Sequence, residues 1–520
     1  MQLIFDPNVN MIYRIVSGIF FLINVVLALF IIFLERDRRE ATATWAWLLL
    51  LFIMPIFGFL LYLFFGRAVR LKSSRHEQGK EIEDARTRVK NQKQQFIDRT
   101  FKTENPVVEK QSDLVEMMLT REVSFLSENN HVKTFTDGHA LFEKMKQDLK
   151  AAKTYIHMEF YILNLDGLGK SVLEILKDKA KEGLEVKLLY DAVGSKQLRK
   201  SKLKDLTEAG VEVEAFFHAK IIPFVNFRVN NRNHRKNVVI DGYIGYVGGF
   251  NVGDEYLGLD EKMGYWRDTH LRIQGDGVDA LQLGFIHDWN SQIADEYQLD
   301  YSERYFPENA RKDGQVAMQL GLSGPNRDWP QLEFAYLKMI MNAKSTIYMQ
   351  SPYFVPDVGF VNALRIAAKS GVDIHLMIPN KPDQPFVHWA TLTTVALLMY
   401  EGVNVYTYEN GFIHSKMMVI DGEVASVGSA NMDARSFKLN FEVNALIYNQ
   451  DIAESLISAF KEDLKVSKQL TPERYENRSN WVKFKQSIAK LVSPILYNLS
   501  FVYKPIGVTK CILETAIFLR

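Results

Sequence analysis

Asn233-His234-Arg235-Lys236-Asn237-Val238-Val239-Ile240-Asp241-Gly242, followed by Tyr243–Val247, is the stretch whose reading decides the fold. An apolar, β-branched run, an Asp-Gly pair and a second apolar run predict a strand, a two-residue turn and a return strand. Side chains alternate across a strand, so His234 and Lys236 share one face while Asp241 sits at the far end, in the turn. The chain repeats the pattern at His414-Ser415-Lys416-Met417-Met418-Val419-Ile420-Asp421-Gly422. In both copies a small pair follows (Gly248-Gly249; Gly428-Ser429), then one spacer and an asparagine, Asn251 or Asn431. Average residue usage gives about 0.03 chance matches to His-x-Lys-x4-Asp in a chain of this length. Two matches with matching tails are a duplication.

The repeat extends well beyond the motif. Ala152-Lys153-Thr154-Tyr155-Ile156-His157-Met158-Glu159 aligns with Ala343-Lys344-Ser345-Thr346-Ile347-Tyr348-Met349-Gln350. Ala180–Val186 aligns with Ala368–Ile374, and Gly210–Val213 with Gly402–Val405. Each copy alternates apolar, β-rich runs with helical segments that end in glycine. That rhythm predicts two tandem α/β lobes with a mixed or largely parallel sheet, packed as a pseudo-dimer around a cleft. The lobes are expected at 131–302 and 303–480.

The 520 residues carry a net charge of +1, so bulk electrostatics names no partner and gives no sign of a nucleic-acid binder. The single cysteine excludes an internal disulfide, and no Cys/His cluster has zinc spacing. Gly169-Lys170-Ser171 is not a P-loop, because the residue five before Gly169 is Asn164. The N-terminal region, residues 1–66, is different in kind. Residues 12–34 and 45–65 are nearly all apolar, and each is long enough to cross a bilayer as a helix. A cleaved signal peptide fits poorly, since the residues before the first run are nearly uncharged and a second apolar run comes directly after it. A transmembrane hairpin is expected, with Trp45, Trp47 and Tyr62 at its interfaces. Arg67, Arg70, Lys72, Arg75 and Lys80 after the second span favour cytoplasmic lobes, against three arginines in the connecting loop. Residues 67–130 read as a charged helical linker. The run Trp481–Leu491 is amphipathic, and within the 481–520 segment it suits either a bilayer surface or a helix packed on the second lobe.

Two histidines and two lysines brought together from two lobes suit a phosphodiester. The lysines His234 and His414 keep beside them, Lys236 and Lys416, together with Asn251 and Asn431, would stabilise charge on the non-bridging oxygens. One imidazole would attack phosphorus and the other protonate the leaving oxygen. No carboxylate cage for a metal is evident, and no cofactor is expected.

The duplicated His-Lys-Asp signature resembles that of the phospholipase D superfamily, in which His234, Lys236, Asp241, His414, Lys416 and Asp421 would be the catalytic set. From about residue 11 to about 496 the chain resembles the bacterial cardiolipin synthases. The resemblance runs through Thr44–Leu49, Gly58–Tyr62, Gly66-Arg67, Ile156–Tyr161, Ser323-Gly324-Pro325, Ser351–Pro356 and both motif blocks. It implies an acidic residue orienting each histidine, carried onto Asp268 and Glu442; these lie 34 residues after His234 and 28 after His414. It implies transfer of a phosphatidyl group from one phosphatidylglycerol to another at an anionic phospholipid bilayer of the bacterial cell membrane, through a phosphohistidine on His234 with His414 as acid and then base. The reversed histidine roles, a membrane-bound phospholipase D or other phosphodiesterase using water, and an inactive scaffold are the alternatives. The sequence names no oligomeric state.

Overall fold

The computed structural model describes residues 11–34, 41–54, 57–59, 62, 80–120, 123–216, 231–308, 313–325 and 329–496. The chain divides into two compact units, one of Ala68–Phe224 with Asn231–Lys490, the other of Met1–Arg67 with Val225–Asn230 and Leu491–Arg520.

The larger unit is built on one sheet of 16 strands. The first lobe contributes β1 (Ser127–Asp137), β2 (Tyr155–Phe160), β3 (Glu185–Asp191), β4 (Glu212–Phe216), β5 (Lys236–Ile240), β6 (Ile244–Gly248) and β7 (Trp266–Gly275). The second repeats them as β8 (Val316–Ser323), β9 (Thr346–Gln350), β10 (Asp373–Pro379), β11 (Asn404–Tyr408), β12 (Met417–Ile420), β13 (Val424–Gly428) and β14 (Glu442–Tyr448). The spatial order β4-β3-β2-β5-β6-β7-β1-β8-β14-β13-β12-β9-β10-β11 reads the same from either end under the repeat. Its pseudo-two-fold passes between β1 and β8, which pair antiparallel. Ser467–Gln469 closes the outer edge beside β11. The sheet is mixed: β2, β3 and β4 run parallel, and β5 returns antiparallel to β2.

Alternation along β5 assigns the layers. Val238 and Ile240 enter a core with Leu141, Leu149 and Leu176 of the helices Gly138–Lys150 and Gly167–Lys181. Val239 points the other way, into a core shared by both lobes with Phe285 and Trp289 of Gly277–Asn290 and Leu456 and Phe460 of Gln450–Leu464. The helix holding Gly169-Lys170-Ser171 is capped from within. Its Gly167 and Leu168 N–H groups donate to Asp254, and Gly169 N–H donates to Asp166, so carboxylates fill the place a phosphate would take in a P-loop.

Part of the stretch expected as a charged linker is core. Ile82, Ala85 and Val89 of the helix Lys80–Ile97 join the shared core. Val107, Val108, Leu114, Val115 and Met118 enter the second lobe's outer core. The apolar spacing 82-85-89 is helical, and the surrounding charges obscured it. Strand β1 also starts inside that stretch. In the smaller unit Met11–Leu34 and Ala41–Ile53 are helices. Among the described residues, no helix is long and apolar enough to cross a membrane. The second expected span, 45–65, departs from a single helix after Ile53, and part of it lies outside the described residues, as do the interhelical loop 35–40, the basic residues 67–75 and the tail 497–520. Trp47, expected at an interface, is buried edge-to-face on Tyr62 at 5.3 Å, whereas Trp45 is exposed. The helix Asn480–Leu496 buries Gln486 and Ala489 and exposes Trp481, Phe484 and Ile488.

Both Asp-Gly pairs make the hairpins expected of them. Asp241 and Gly242 have φ of 54° and 71°, and Asp421 and Gly422 of 52° and 68°, which is a type I′ turn. Asp241 accepts from the N–H groups of Lys153, Thr154 and Tyr155 and from Thr154 Oγ1. Asp421 does the same for Lys344, Ser345 and Thr346 and for Ser345 Oγ. The motif aspartates therefore tie the hairpin to the start of β2 and β9, a strand's length from the histidines. Burial pushes the Asp421 carboxyl up, but the N–H groups of Thr346, Ser345 and Lys344 outweigh it and hold it below its ordinary value. Asp421→Ala should destabilise by about 2–3 kcal/mol, from the lost acceptor and a left-handed alanine. Asp421→Asn, which tolerates the turn, should lose less. A carboxyl depressed in the folded state stabilises above its unfolded value near 3.9 and loses that contribution as pH falls through its folded value. The gap in melting temperature between Asp421→Ala and the parent should therefore narrow in acid.

Candidate active site

Each motif histidine lies just before its hairpin, where the chain crosses to the other lobe. Phe412–Ile413 pairs parallel with Trp266–Arg267 at the start of β7, and Asn233 bridges Phe441 just before β14. His234 N–H donates to Phe441 O at 2.9 Å, and His414 N–H to Arg267 O at 2.7 Å. The crossing decides which acid meets which imidazole. His234 Nδ1 lies 2.9 Å from Glu442 Oε2, and His414 Nδ1 lies 2.6 Å from Asp268 Oδ2. Glu442 and Asp268 are the acids expected from the sequence, but the pairs are exchanged between lobes. Counting from each lobe's own histidine found the residues and missed the partners.

The surroundings fix the tautomer. His234 Nδ1 also faces the Ser429 carbonyl oxygen at 3.1 Å, and a carbonyl can only accept. Nδ1 therefore carries the proton, leaving Nε2 with its lone pair. Both acids are fully buried. Glu442 is held further by Ser429 Oγ at 2.6 Å and Asn440 Nδ2 at 3.1 Å, and Asp268 by Thr269 N at 2.7 Å. The small pair after the hairpin has a different use in each copy. A Cβ on Gly249 would come 2.0 Å from Asp268 Oδ1, so only glycine fits there; Ser429 instead hydrogen-bonds the longer Glu442.

Lys236 and Lys416 are wholly buried on the same face as their histidines. Lys236 Nζ donates to His234 O at 2.6 Å, Lys416 Nζ donates to His414 O, and Lys416 Nζ is 3.9 Å from Asp268. Burial pushes Lys236 down to about 7 and Lys416 down to about 8, against the pull of Glu442 and Asp268. Burial and then Lys416 push His414 down to about 3, and burial lowers His234. The lysine of each lobe acts on the histidine of the other, so the four groups form one electrostatic site. Burial pushes Asp268 and Glu442 up; Lys416 and His414 for the first, His234 and Lys236 for the second, outweigh it and keep both carboxyls below their ordinary values.

The asparagines are less alike than their spacing. Asn251 Oδ1 accepts from Ile162 N at 3.1 Å, and its Nδ2 donates to Tyr256 Oη, so it braces the loop after β2. Asn431 Oδ1 is buried and has no hydrogen-bond partner among the described residues. Several residues here carry no mark in the motif. The Tyr161 ring meets the His234 ring at 4.7 Å and lies 5.3 Å from Lys236 Nζ, while Trp266 lies 5.1 Å from His414. Behind His234, Asn233 Nδ2 donates to Glu159, and Arg235 is paired with Asp288. Burial and then Asp288 push Glu159 well above the usual carboxylate range. The second lobe has the uncharged Gln350 at the equivalent position, as the repeat alignment shows. Among the described residues, no three His, Cys, Asp or Glu side chains are arranged to hold a metal ion.

The exchanged pairing makes a direct prediction. Glu442→Gln should lower the pKa of His234, which the carboxylate raises, and leave His414 nearly unmoved; Asp268→Asn should do the converse. Nuclear magnetic resonance titration of labelled histidines reads both. Same-lobe coupling would give the opposite result.

A family model described as cardiolipin synthase, phospholipase D-like domain, matches residues 145–270 and 336–464, and a phospholipase D-nuclease N-terminal model matches 22–67. Cardiolipin synthase 1 of Staphylococcus aureus (strain MRSA252) is 55% identical over 496 residues, covering 95% of this chain and 100% of that protein. Cardiolipin synthase 1 of Staphylococcus epidermidis (strain ATCC 12228) is 56% identical over 476 residues, covering 92% and 96%. The crystal structure of a phosphatidylserine synthase from Haemophilus influenzae Rd KW20 superposes with a TM-score of 0.55 over 75% of this chain and 98% of that one, at 12% identity, which shows a common fold. With two complete motif copies meeting in one site, and relatives similar along nearly their whole length, the chain belongs to the bacterial cardiolipin synthases of the phospholipase D superfamily.

Proposed function

We propose that the chain moves a phosphatidyl group from one phosphatidylglycerol to the hydroxyl of a second, giving cardiolipin and glycerol, by way of a phosphohistidine. The observation that carries this reading is the pair of imidazoles, each held at Nδ1 by a buried carboxylate of the other lobe and flanked by a buried lysine. Holding Nδ1 leaves Nε2 of each ring for the reaction.

His234 Nε2 attacks the donor's phosphorus. The new N–P bond forms as the bond from phosphorus to the glycerol oxygen breaks, and His414 passes a proton to that oxygen. Glycerol leaves. The acceptor's hydroxyl then gives its proton to His414, its oxygen bonds to phosphorus, and the N–P bond breaks. Lys236, Lys416 and Asn431 stabilise charge on the non-bridging oxygens, Asn251 supports the site by bracing the loop after β2, and the motif aspartates act through the hairpins. The free enzyme disfavours imidazolium. A phosphodiester anion makes every neighbouring base hold a proton more tightly, so His414 takes up the needed proton from solvent as the substrate binds. One phosphodiester replaces another, so the exchange is near thermoneutral and needs no nucleotide.

Attachment to a phospholipid membrane is part of the proposal. Ile15, Ile19, Leu22, Val26 and Leu29 along Met11–Leu34, and Trp45 and Phe52 on the next helix, are exposed, an apolar surface that water does not favour. This supports the N-terminal region as a hydrophobic anchor, with the hairpin crossing the cell membrane and the lobes on its cytoplasmic side as the fuller form of the reading. Lipid tails leave a bilayer at a cost of roughly 0.8 kcal/mol per CH2, so chemistry on such substrates belongs at the surface.

Purified protein given labelled phosphatidylglycerol should yield cardiolipin and free glycerol in equal amounts. Phosphatidic acid alone would mean that water is the acceptor. Alanine at His234 or His414 should lower the rate by at least roughly 10²–10⁴-fold. In the free enzyme Lys236 loses its charge above about pH 7, so kcat/KM should fall from there upward. The bound phosphodiester stabilises the ammonium, so kcat should hold to higher pH. A kcat/KM that rises through the same range would count against charged lysines as the phosphate ligands.

A further inference from the structure

The two-fold repeat of the site is broken by a pair of arginines on one side. Arg232 precedes His234 by two residues, where the second lobe has Phe412; Arg435 follows Asn431 by four, where the first lobe has Glu255. Arg232 is only 3% exposed. Its Nη1 donates to Asn231 O at 2.9 Å, while among the described residues the buried Nη2 has no hydrogen-bond partner and no carboxylate lies within ion-pair distance. The buried Asp191 feels the Arg232 charge, yet no acceptor meets Nη2, a costly position for a guanidinium nitrogen unless something anionic reaches it.

Arg435 approaches the same place from the other lobe. It is half-buried, and its Nε donates at 3.2 Å to Asn440 Oδ1, whose amide in turn holds Glu442. Burial and then Arg232 lower Arg435, so the two guanidinium groups feel each other, and both act on Tyr161, whose ring packs on His234. Two like charges that feel each other are stabilised by an anion placed between them, and guanidinium forks suit phosphate.

The proposed reaction supplies such an anion. Cardiolipin carries two phosphates joined through glycerol, but only one of them reacts. An extended chain advances about 3.3 Å per residue, so the Cα atoms of Arg232 and His234 stand roughly 7 Å apart, the scale of a three-carbon bridge between phosphates. We infer that Arg232 and Arg435 form a second anion subsite, beside the reacting phosphate, that holds the phosphodiester of the acceptor phospholipid. This rests on the transferase reading above. It also gives a reason for the broken symmetry: the donor's leaving glycerol bears no phosphate, whereas the acceptor does.

The test compares two fates of the same phosphoenzyme. Full-length protein with phosphatidylglycerol and labelled glycerol makes labelled phosphatidylglycerol by exchange, in which the acceptor has no phosphate, and cardiolipin by transfer, in which it has one. In Arg232→Gln and Arg435→Gln the ratio of cardiolipin to exchange should fall roughly tenfold, as expected for a lost charge-assisted contact. Arg232→Lys and Arg435→Lys, which keep the charge without the fork, should fall less. Equal loss of both products in a Gln variant, with the Lys variant equally impaired, would assign the arginines to the first phosphate or to the fold and overturn the subsite. An unchanged ratio would overturn it too. A parent protein that makes phosphatidic acid and no cardiolipin would defeat the transferase reading itself, whatever the variants do.

Discussion

Everything at the reactive centre depends on two buried carboxylates, each reaching across the lobe boundary to the imidazole of the other half. A carboxylate with no exposure is tolerated only when its charge is answered, and here histidine Nδ1–H, a lysine and local donors answer it. The same contacts make each lobe incomplete. His234 without Glu442 would lose its tautomer, and Glu442 without His234 would be an uncompensated buried charge. The lobes are therefore bound to each other by the chemistry they perform.

Further contacts stitch the same boundary. Arg267 of β7 pairs with Asp463 at 2.9 Å, Arg235 donates to Glu442 O and Ser323 O at 3.1 Å, and Thr269 Oγ1 meets Ser415 Oγ at 2.8 Å. The continuous sheet across β1 and β8 and the core shared by the two central helices supply the apolar part. A pseudo-dimer with this much common interior holds its two histidines in fixed register, which a phosphoryl-transfer site needs.

Symmetry builds the site, and departures from it divide the work. Gly249 and Ser429, Asp268 and Glu442, Glu159 and Gln350, and Arg232 and Phe412 are equivalent positions filled differently. Each difference changes size, charge or hydrogen bonding in one half of the site. A reaction that uses one histidine as nucleophile and the other as acid requires such unlikeness, as does one that joins two lipids in different roles.

The alternating pattern of β5 and β12, the Asp-Gly turns and the repeat were legible because each is set by neighbours in the chain. They determined the two-lobe α/β fold, the shared face of His234 and Lys236, and the turn role of Asp241 and Asp421. Asp268 and Glu442, the acids that meet the imidazoles, were also legible, but not which imidazole each one meets. The exchange arises where the segments before His234 and His414 pair with β14 and β7 of the other lobe, and no spacing within one copy records it. The core role of Val107 to Met118 and the depressed lysines were equally invisible, since burial is a property of what packs around a residue. The sequence by itself determined which groups are present and which face of a strand they share; only the tertiary structure decided which lobe holds which histidine, because that choice is made by contacts between segments roughly 150–200 residues apart.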